Sequence, residues 1–276
     1  MYYFWAFFVV ALWILCQLSD KFKYHVKYVG YCLYCIFIAA CSGLFCLFYK
    51  PRSSMNIFIP QFFIKWTGFK WLFGINLKYE NLEILHNVKK PCVVVSNHQT
   101  SLDAMLLLIM SPLGVAPLAK RVLLYVPIFG PVCWLCGTIY IDRSKGRSAI
   151  QIMKKVGEEM KKNLTTLWIF PEGSRYQQDK LLPFKKGAFH LAVQAGVPIA
   201  PVIFGNYRNV IDRKNKKFDG GEIRCICLPP ISTEGKTVDD VNDIVESTHK
   251  LMSDAFEKDF KSHSHMYKDV TPLKSD

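Results

Sequence analysis

Two segments of the chain hold side chains suited to proton transfer and anion binding. The first is Asn97-His98-Gln99-Thr100-Ser101-Leu102-Asp103, directly after the apolar run 92–96 (CVVVS). Imidazole can act as a general base near neutral pH, and a carboxylate beside it can fix its tautomer and stabilise its charged form. On a regular helix, residues five apart point about 140° away from one another. His98 and Asp103 therefore meet only if His98 lies in a turn and Asp103 in the first turn of the helix that follows. Thr100 and Ser101 are the cap residues such a junction needs. A plainer reading uses the same letters: Thr100-x-x-Asp103 is a capping box, in which Asp103 serves only the backbone.

The second segment is Phe170-Pro171-Glu172-Gly173-Ser174-Arg175, which follows another apolar run. A turn of this composition presents backbone N–H groups, and the arginine adds a planar fork suited to phosphate. Gly137-Thr-Ile-Tyr-Ile-Asp142-Arg143 ends in a second arginine, and Lys120-Arg121 and Lys185-Lys186 add cations. Each cation alone reads as a solvated charge; together, after strand ends, they point to an anion site. Neither G-x-S-x-G nor H-E-x-x-H occurs, so the chemistry expected here uses neither an acyl-enzyme serine nor a metal.

The elements that must position these residues are legible in outline. Runs 92–96, 137–142, 166–170, 197–204 and 222–229 read as strands. Between or after them, 147–162, 187–195 and 237–260 carry helical stripes; Gly196 supplies a C-cap and Thr237-x-x-Asp240 a capping box. Alternating strands and helices predict an α/β fold, a largely parallel sheet flanked by helices. The stretches 104–118 and 122–136 are broken by Pro112, Pro117, Pro127 and Pro131 and cannot span a bilayer. They suit an acyl-chain slot or ordinary core equally.

The N-terminal region is of a different kind. Residues 1–19 and 28–49 carry no charge, and each is long enough to cross a hydrocarbon core of about 30 Å as a helix. The segment between them, DKFKYHVK, reads as a hairpin loop. Residues 56–79 mix Trp66, Trp71 and several Phe with Lys65 and Lys70, which suits a membrane interface or an amphipathic helix on the folded domain. The expected division is an N-terminal hydrophobic helical membrane anchor over 1–80 and a folded domain over 81–276. The net charge of +13 suits anionic membranes or phosphate-bearing substrates. No nucleic-acid motif accompanies it, and 51% hydrophobic residues exclude disorder. The ten cysteines read as free thiols buried as small hydrophobes.

Four blocks in fixed order, NHQTSLD at 97–103, GTIYIDR at 137–143, FPEGSR at 170–175 and VPIAP at 197–201, resemble the glycerolipid acyltransferase family. The likeness is strongest to the 1-acylglycerol-3-phosphate acyltransferases of the endoplasmic reticulum membrane. It extends through PFKKGAFHLAVQAGVPI at 183–199; Ser174 departs from the family's usual threonine but keeps the hydroxyl. The resemblance implies a His98 general base with Asp103 as its partner. Arg143, Glu172, Gly173 and Arg175 would bind glycerol phosphate with help from Lys120, and Val197 and Pro198 would lie on the acyl-donor side. It implies lysophosphatidic acid and acyl-CoA as substrates, with acyl-CoA a co-substrate and no cofactor, metal or nucleic acid, and membrane lipids as partners. Two alternatives stay open: a related enzyme acting on glycerol 3-phosphate or another lysophospholipid, and a non-catalytic lipid-binding membrane protein.

Overall fold

The computed structural model describes residues 2–142 and 155–263. The chain begins with helices α1 (Tyr2–Leu18) and α2 (Asp20–Phe48). The charged segment 20–27 is not a loop but the first two turns of α2. Ser19 caps it by accepting the N–H of Phe22 at 3.3 Å, and Asp20 sits in the first turn, where a carboxylate is favoured. Short helices α3 (Phe58–Thr67) and α4 (Phe69–Phe73) follow, joined at Gly68. They bury Ile59, Ile64, Phe69 and Phe73 and expose Phe62, Trp66, Trp71 and Leu72. One face of this segment thus packs on the domain, as an amphipathic helix would, and the other leaves its aromatic side chains exposed.

Next come β1 (Ile75–Glu80), α5 (Leu82–Asn87), β2 (Val93–Ser96), α6 (Asp103–Met110) and β3 (Val115–Lys120). They are followed by α7 (Phe129–Leu135), β4 (Ile139–Ile141), α8 (155–162) and β5 (Thr166–Ile169). The chain closes with α9 (Gly187–Ala195), β6 (Ile199–Phe204), a hairpin of β7 (Ile211–Asp212) and β8 (Lys217–Phe218), β9 (Gly221–Cys227) and α10 (Val241–Ser262).

Seven strands form one sheet in the order β1-β9-β6-β2-β5-β3-β4. Strands β6, β2, β5, β3 and β4 are mutually parallel; β9 is antiparallel to β6 and carries β1 with it. The largely parallel sheet was legible, but two strands were not. β3 contains Pro117, and β1 lies inside the segment expected to be interfacial, so a division at residue 80 leaves the sheet's edge strand on the anchor side. Alternation along the strands feeds two cores. Val93, Val95, Leu167 and Ile169 face α8, α9 and α10, while Val94, Trp168 and Val202 face α2, α5 and α6. The stretch 104–118 is thus core, whereas Val122, Tyr125 and Ile128 of 122–136 are exposed.

Helix α2 is a wall of this domain along its whole length. Tyr24, Tyr31, Tyr34, Ile38 and Cys46 are buried against it, while Val29, Leu33, Phe37, Leu44 and Phe48 face outward. The ten cysteines are free, yet only Cys46, Cys92, Cys136, Cys225 and Cys227 are buried, and Cys32 lies exposed on α2. A helix with a lipid-compatible outer face does not need to hide its thiols.

Candidate active site

Three neighbouring parallel strands, β6, β2 and β5, end on one edge of the sheet, the place where open α/β sheets collect ligands. The β2 end is fastened first. Asn97 donates its amide to the carbonyl of Phe204 and accepts the Phe204 N–H, both at 2.8 Å, extending the β2–β6 ladder by a side chain. Gln99 donates to the carbonyls of Phe204 and Gly205. The chain between must therefore turn sharply, and α6 begins at Asp103.

That turn brings His98 and Asp103 together, with Nδ1 of the imidazole 2.6 Å from Oδ2 of the carboxylate. The same oxygen accepts the N–H groups of Gln99 at 2.6 Å and Thr100 at 2.9 Å. The capping and proton-transfer readings are thus not mutually exclusive: the oxygen that caps the turn is also the one in contact with the imidazole. Asp103 is fully buried, and its other oxygen accepts the hydroxyl of Tyr207, from the loop after β6. Donors on both oxygens and a helix N-terminus suit an ionised carboxylate, which holds the Nδ1 proton and leaves Nε2 as the acceptor. The ring of His98 stacks on Phe170 with centroids 4.1 Å apart, and 18% of its side chain stays open to solvent. Nε2 makes no hydrogen bond to a described residue. A neutral imidazole held in this way can accept a proton at Nε2.

The segment after β5 closes over this turn. Glu172 is buried, and its two carboxylate oxygens accept the backbone N–H groups of His98 at 2.9 Å and Leu182 at 3.3 Å. Burial pushes its carboxyl up to about 7 against the opposing pull of those two amides. Tyr176 returns a 2.7 Å bond from its N–H to the carbonyl of His98. Gly173 takes φ 73°, a left-handed geometry that favours glycine, and its own N–H is spent on Phe170 at 3.2 Å. Arg175 is exposed and pairs with no described residue. Glu172 and Gly173 thus shape the turn, while Arg175 lies exposed at its rim. Lys120 ends β3, exposed on the same edge of the sheet. Arg143 lies outside the described residues.

Val197 and Pro198 are not brought to this site. They precede β6, so its six residues separate them from His98's edge by ~20 Å. The carbonyl of Pro198 accepts Val93 N–H at 2.9 Å, and that of Val197 the hydroxyl of Thr233 at 2.9 Å; both hold the far end of the sheet. Phe170 opens the FPEGSR block without having been given a role, and Tyr207 belongs to none of the blocks. Tyr207 sits in the polar Gly205-Asn206-Tyr207 that ends β6, where a strand end beside the site is a usable signal.

By fold this is an acyltransferase domain: residues 76–205, from β1 to just past β6, match the model of the family described as Acyltransferase. The crystal structure of the 1-acyl-sn-glycerophosphate (LPA) acyltransferase PlsC from Thermotoga maritima is alike at a TM-score of 0.68. At 20% identity it covers 88% of this chain and 97% of its own, which speaks to the fold alone. Among sequences, the human 1-acyl-sn-glycerol-3-phosphate acyltransferase beta is 36% identical over 249 residues, 90% of this chain and 88% of its own. The human alpha protein is 35% identical over 91% of this chain and 86% of its own. The 1-acyl-sn-glycerol-3-phosphate acyltransferase of Saccharomyces cerevisiae is 40% identical over 68% of this chain and 62% of its own. The chain belongs to the 1-acyl-sn-glycerol-3-phosphate acyltransferase family.

Proposed function

We propose that this protein transfers a fatty acyl group from acyl-CoA to the sn-2 hydroxyl of 1-acyl-sn-glycerol 3-phosphate, giving phosphatidic acid. His98 Nε2 takes the hydroxyl proton, the oxygen attacks the thioester carbonyl, and a tetrahedral intermediate forms. Its collapse breaks the C–S bond, and the proton held by His98 passes to the departing thiolate. Asp103 keeps the imidazole oriented and offsets the charge it gains, as the aspartate does in a Ser-His-Asp site where the substrate's hydroxyl replaces the serine. The single observation that carries this reading is the 2.6 Å contact of His98 Nδ1 with Asp103 while Nε2 stays open. Arg175, with Arg143 and Lys120, would bind the acceptor's phosphate; Glu172 and Gly173 would support that site by shaping its turn.

The proposed setting is the endoplasmic reticulum membrane, with membrane lipids as partners. Residues 28–48 of α2 would rise ~32 Å as a helix, about the thickness of a hydrocarbon core. The domain packs along that length, so α2 would offer lipid its outer face only. The exposed Phe62, Trp66 and Trp71 would add an interfacial belt beside it.

The test is a transfer assay with purified protein, labelled oleoyl-CoA, and a panel of lysophospholipids plus glycerol 3-phosphate. Transfer to lysophosphatidic acid above the others, lost in a folded His98→Ala protein, is expected. Preference for glycerol 3-phosphate, or full transfer without His98, would overturn the reading.

A further inference from the structure

We infer that Tyr207 is a positioning residue for the His98–Asp103 pair, one that tunes how strongly the pair holds a proton. The inference rests on the reading of His98 as the base. Asp103 Oδ2 accepts three hydrogen bonds, from His98 Nδ1, Gln99 N–H and Thr100 N–H, whereas Tyr207 is the donor on Oδ1. The phenol is itself part of a relay. Thr100 Oγ1 lies 3.0 Å from the Tyr207 oxygen and accepts Leu102 N–H at 3.0 Å, so its own proton is free for the phenol. A donor that is itself hydrogen-bonded polarises more strongly. Tyr207 is fully buried, away from bulk solvent. Burial together with the Asp103 charge raises its ionisation well above the ordinary phenol range, so it stays a donor at every working pH.

The consequence has a sign. A donor on Oδ1 draws negative charge away from the carboxylate and weakens its hold on the imidazolium. Removing the hydroxyl while keeping the ring should therefore make His98 hold its proton more tightly. The other titratable groups that meet the turn are Tyr28 and Tyr31 of α2 on Ser101 and Glu172 on the His98 amide, together with Cys225 of β9, whose thiol feels Asp103. Tyr176 meets the His98 carbonyl through its backbone N–H, which does not titrate. Glu172 titrates near 7 and would blur a rate profile taken alone. The His98 ring must therefore be followed directly.

The experiment measures kcat/KM against pH in detergent for wild type, Tyr207→Phe and protein carrying 3-fluorotyrosine at 207. Beside it runs a ring-nitrogen NMR titration with His98 assigned by its absence in His98→Ala. Tyr207→Phe should move the His98 titration and the acid limb upward by roughly half a pH unit, about a threefold tighter proton. Fluorotyrosine, a stronger donor, should move both downward. A tyrosine that only fills space would lower the active fraction and leave the titration in place, so an unmoved His98 titration overturns the inference. If Tyr207→Phe does not fold, the fluorotyrosine protein decides by the same rule. Transfer that persists in folded His98→Ala would instead remove the base reading and leave the hydrogen bond itself unchallenged.

Discussion

Asp103 is fully buried, and its two oxygens accept four hydrogen bonds, whereas Arg175, in the loop after the neighbouring strand, is exposed and pairs with no described residue. Both belong to blocks singled out by the same kind of sequence reasoning, yet the fold treats them differently. The His98 turn is finished before any substrate arrives: ring, carboxylate and three backbone amides are fixed, which suits a group whose task is to be in place. The Arg175 guanidinium spends no donor on a described residue, which suits a group whose partner is the substrate's charge. The difference predicts two kinds of failure. Damage to the closed turn should fall on the chemical step, and damage to the open one on one substrate's binding.

The largest effect should come from Asp103→Asn. The amide can keep its carbonyl oxygen toward the three N–H donors and turn its NH2 toward the Tyr207 oxygen, so the fold survives. The lost charge leaves the imidazolium without its partner. A fall in kcat of about three to four orders of magnitude is expected, as in triads where the same change is made. The melting temperature should shift little. An active Asp103→Asn protein would reduce Asp103 to a helix cap and erase the contrast between the two turns.

Arg175→Lys tests the open side. Lysine retains the charge but not the bidentate fork. Losing a charge-assisted hydrogen bond costs about 1.5–3 kcal/mol, roughly tenfold to over a hundredfold in kcat/KM for the acceptor. The acyl-donor KM and the melting curve should hold. A rival role for Arg175, as a structural partner of Glu172, would require unfolding instead. The Glu172 carboxylate is already committed to the amides of His98 and Leu182. Unchanged acceptor kinetics would move the phosphate site elsewhere on this edge.

What the sequence made legible follows the same division. His98 and Asp103 are five residues apart, so the condition for their meeting could be written within one turn, and uninterrupted runs such as CVVVS and TLWIF declared their strands. Contacts made across the fold left no such mark. Tyr207 reaches Asp103 over a separation of 104 residues. β1 shows why an edge strand is hard to read: INLKYE exposes Asn76, Lys78, Tyr79 and Glu80 and buries fully only Ile75, so no apolar run announces it. The VPIAP block was assigned to the donor side by resemblance, without regard to strand direction; Val197 and Pro198 enter β6 at the end away from His98. The charged run 20–27 reads as a loop because lysines between apolar stretches suggest one, but lysine is a good helix former and Ser19 caps the helix.

The smallest effect, and the one that probes whether the closed turn includes the N-terminal helix, is expected from Tyr31→Phe. Tyr31 lies on the buried face of α2 and donates its hydroxyl to the carbonyl of Ser101 at 2.9 Å; Tyr28, one turn earlier, meets the Ser101 hydroxyl at 3.2 Å. Ser101 stands two residues before Asp103, so the helix with the lipid-compatible outer face also steadies the His98–Asp103 turn from behind. Phenylalanine fills the same space and leaves the Ser101 carbonyl without its donor, a loss of about 1–3 kcal/mol in stability. The kinetic loss should be only a few-fold, because Tyr28 and the four bonds on Asp103 still define the turn. The assay belongs in detergent with a short-chain acceptor, where membrane retention cannot limit the rate. Under those conditions a helix that served only to hold the protein on a bilayer would leave kcat untouched. A lowered melting temperature with unaltered kcat would confine α2 to anchoring and packing. A few-fold drop in kcat with both KM values held would make its tyrosines part of the closed turn.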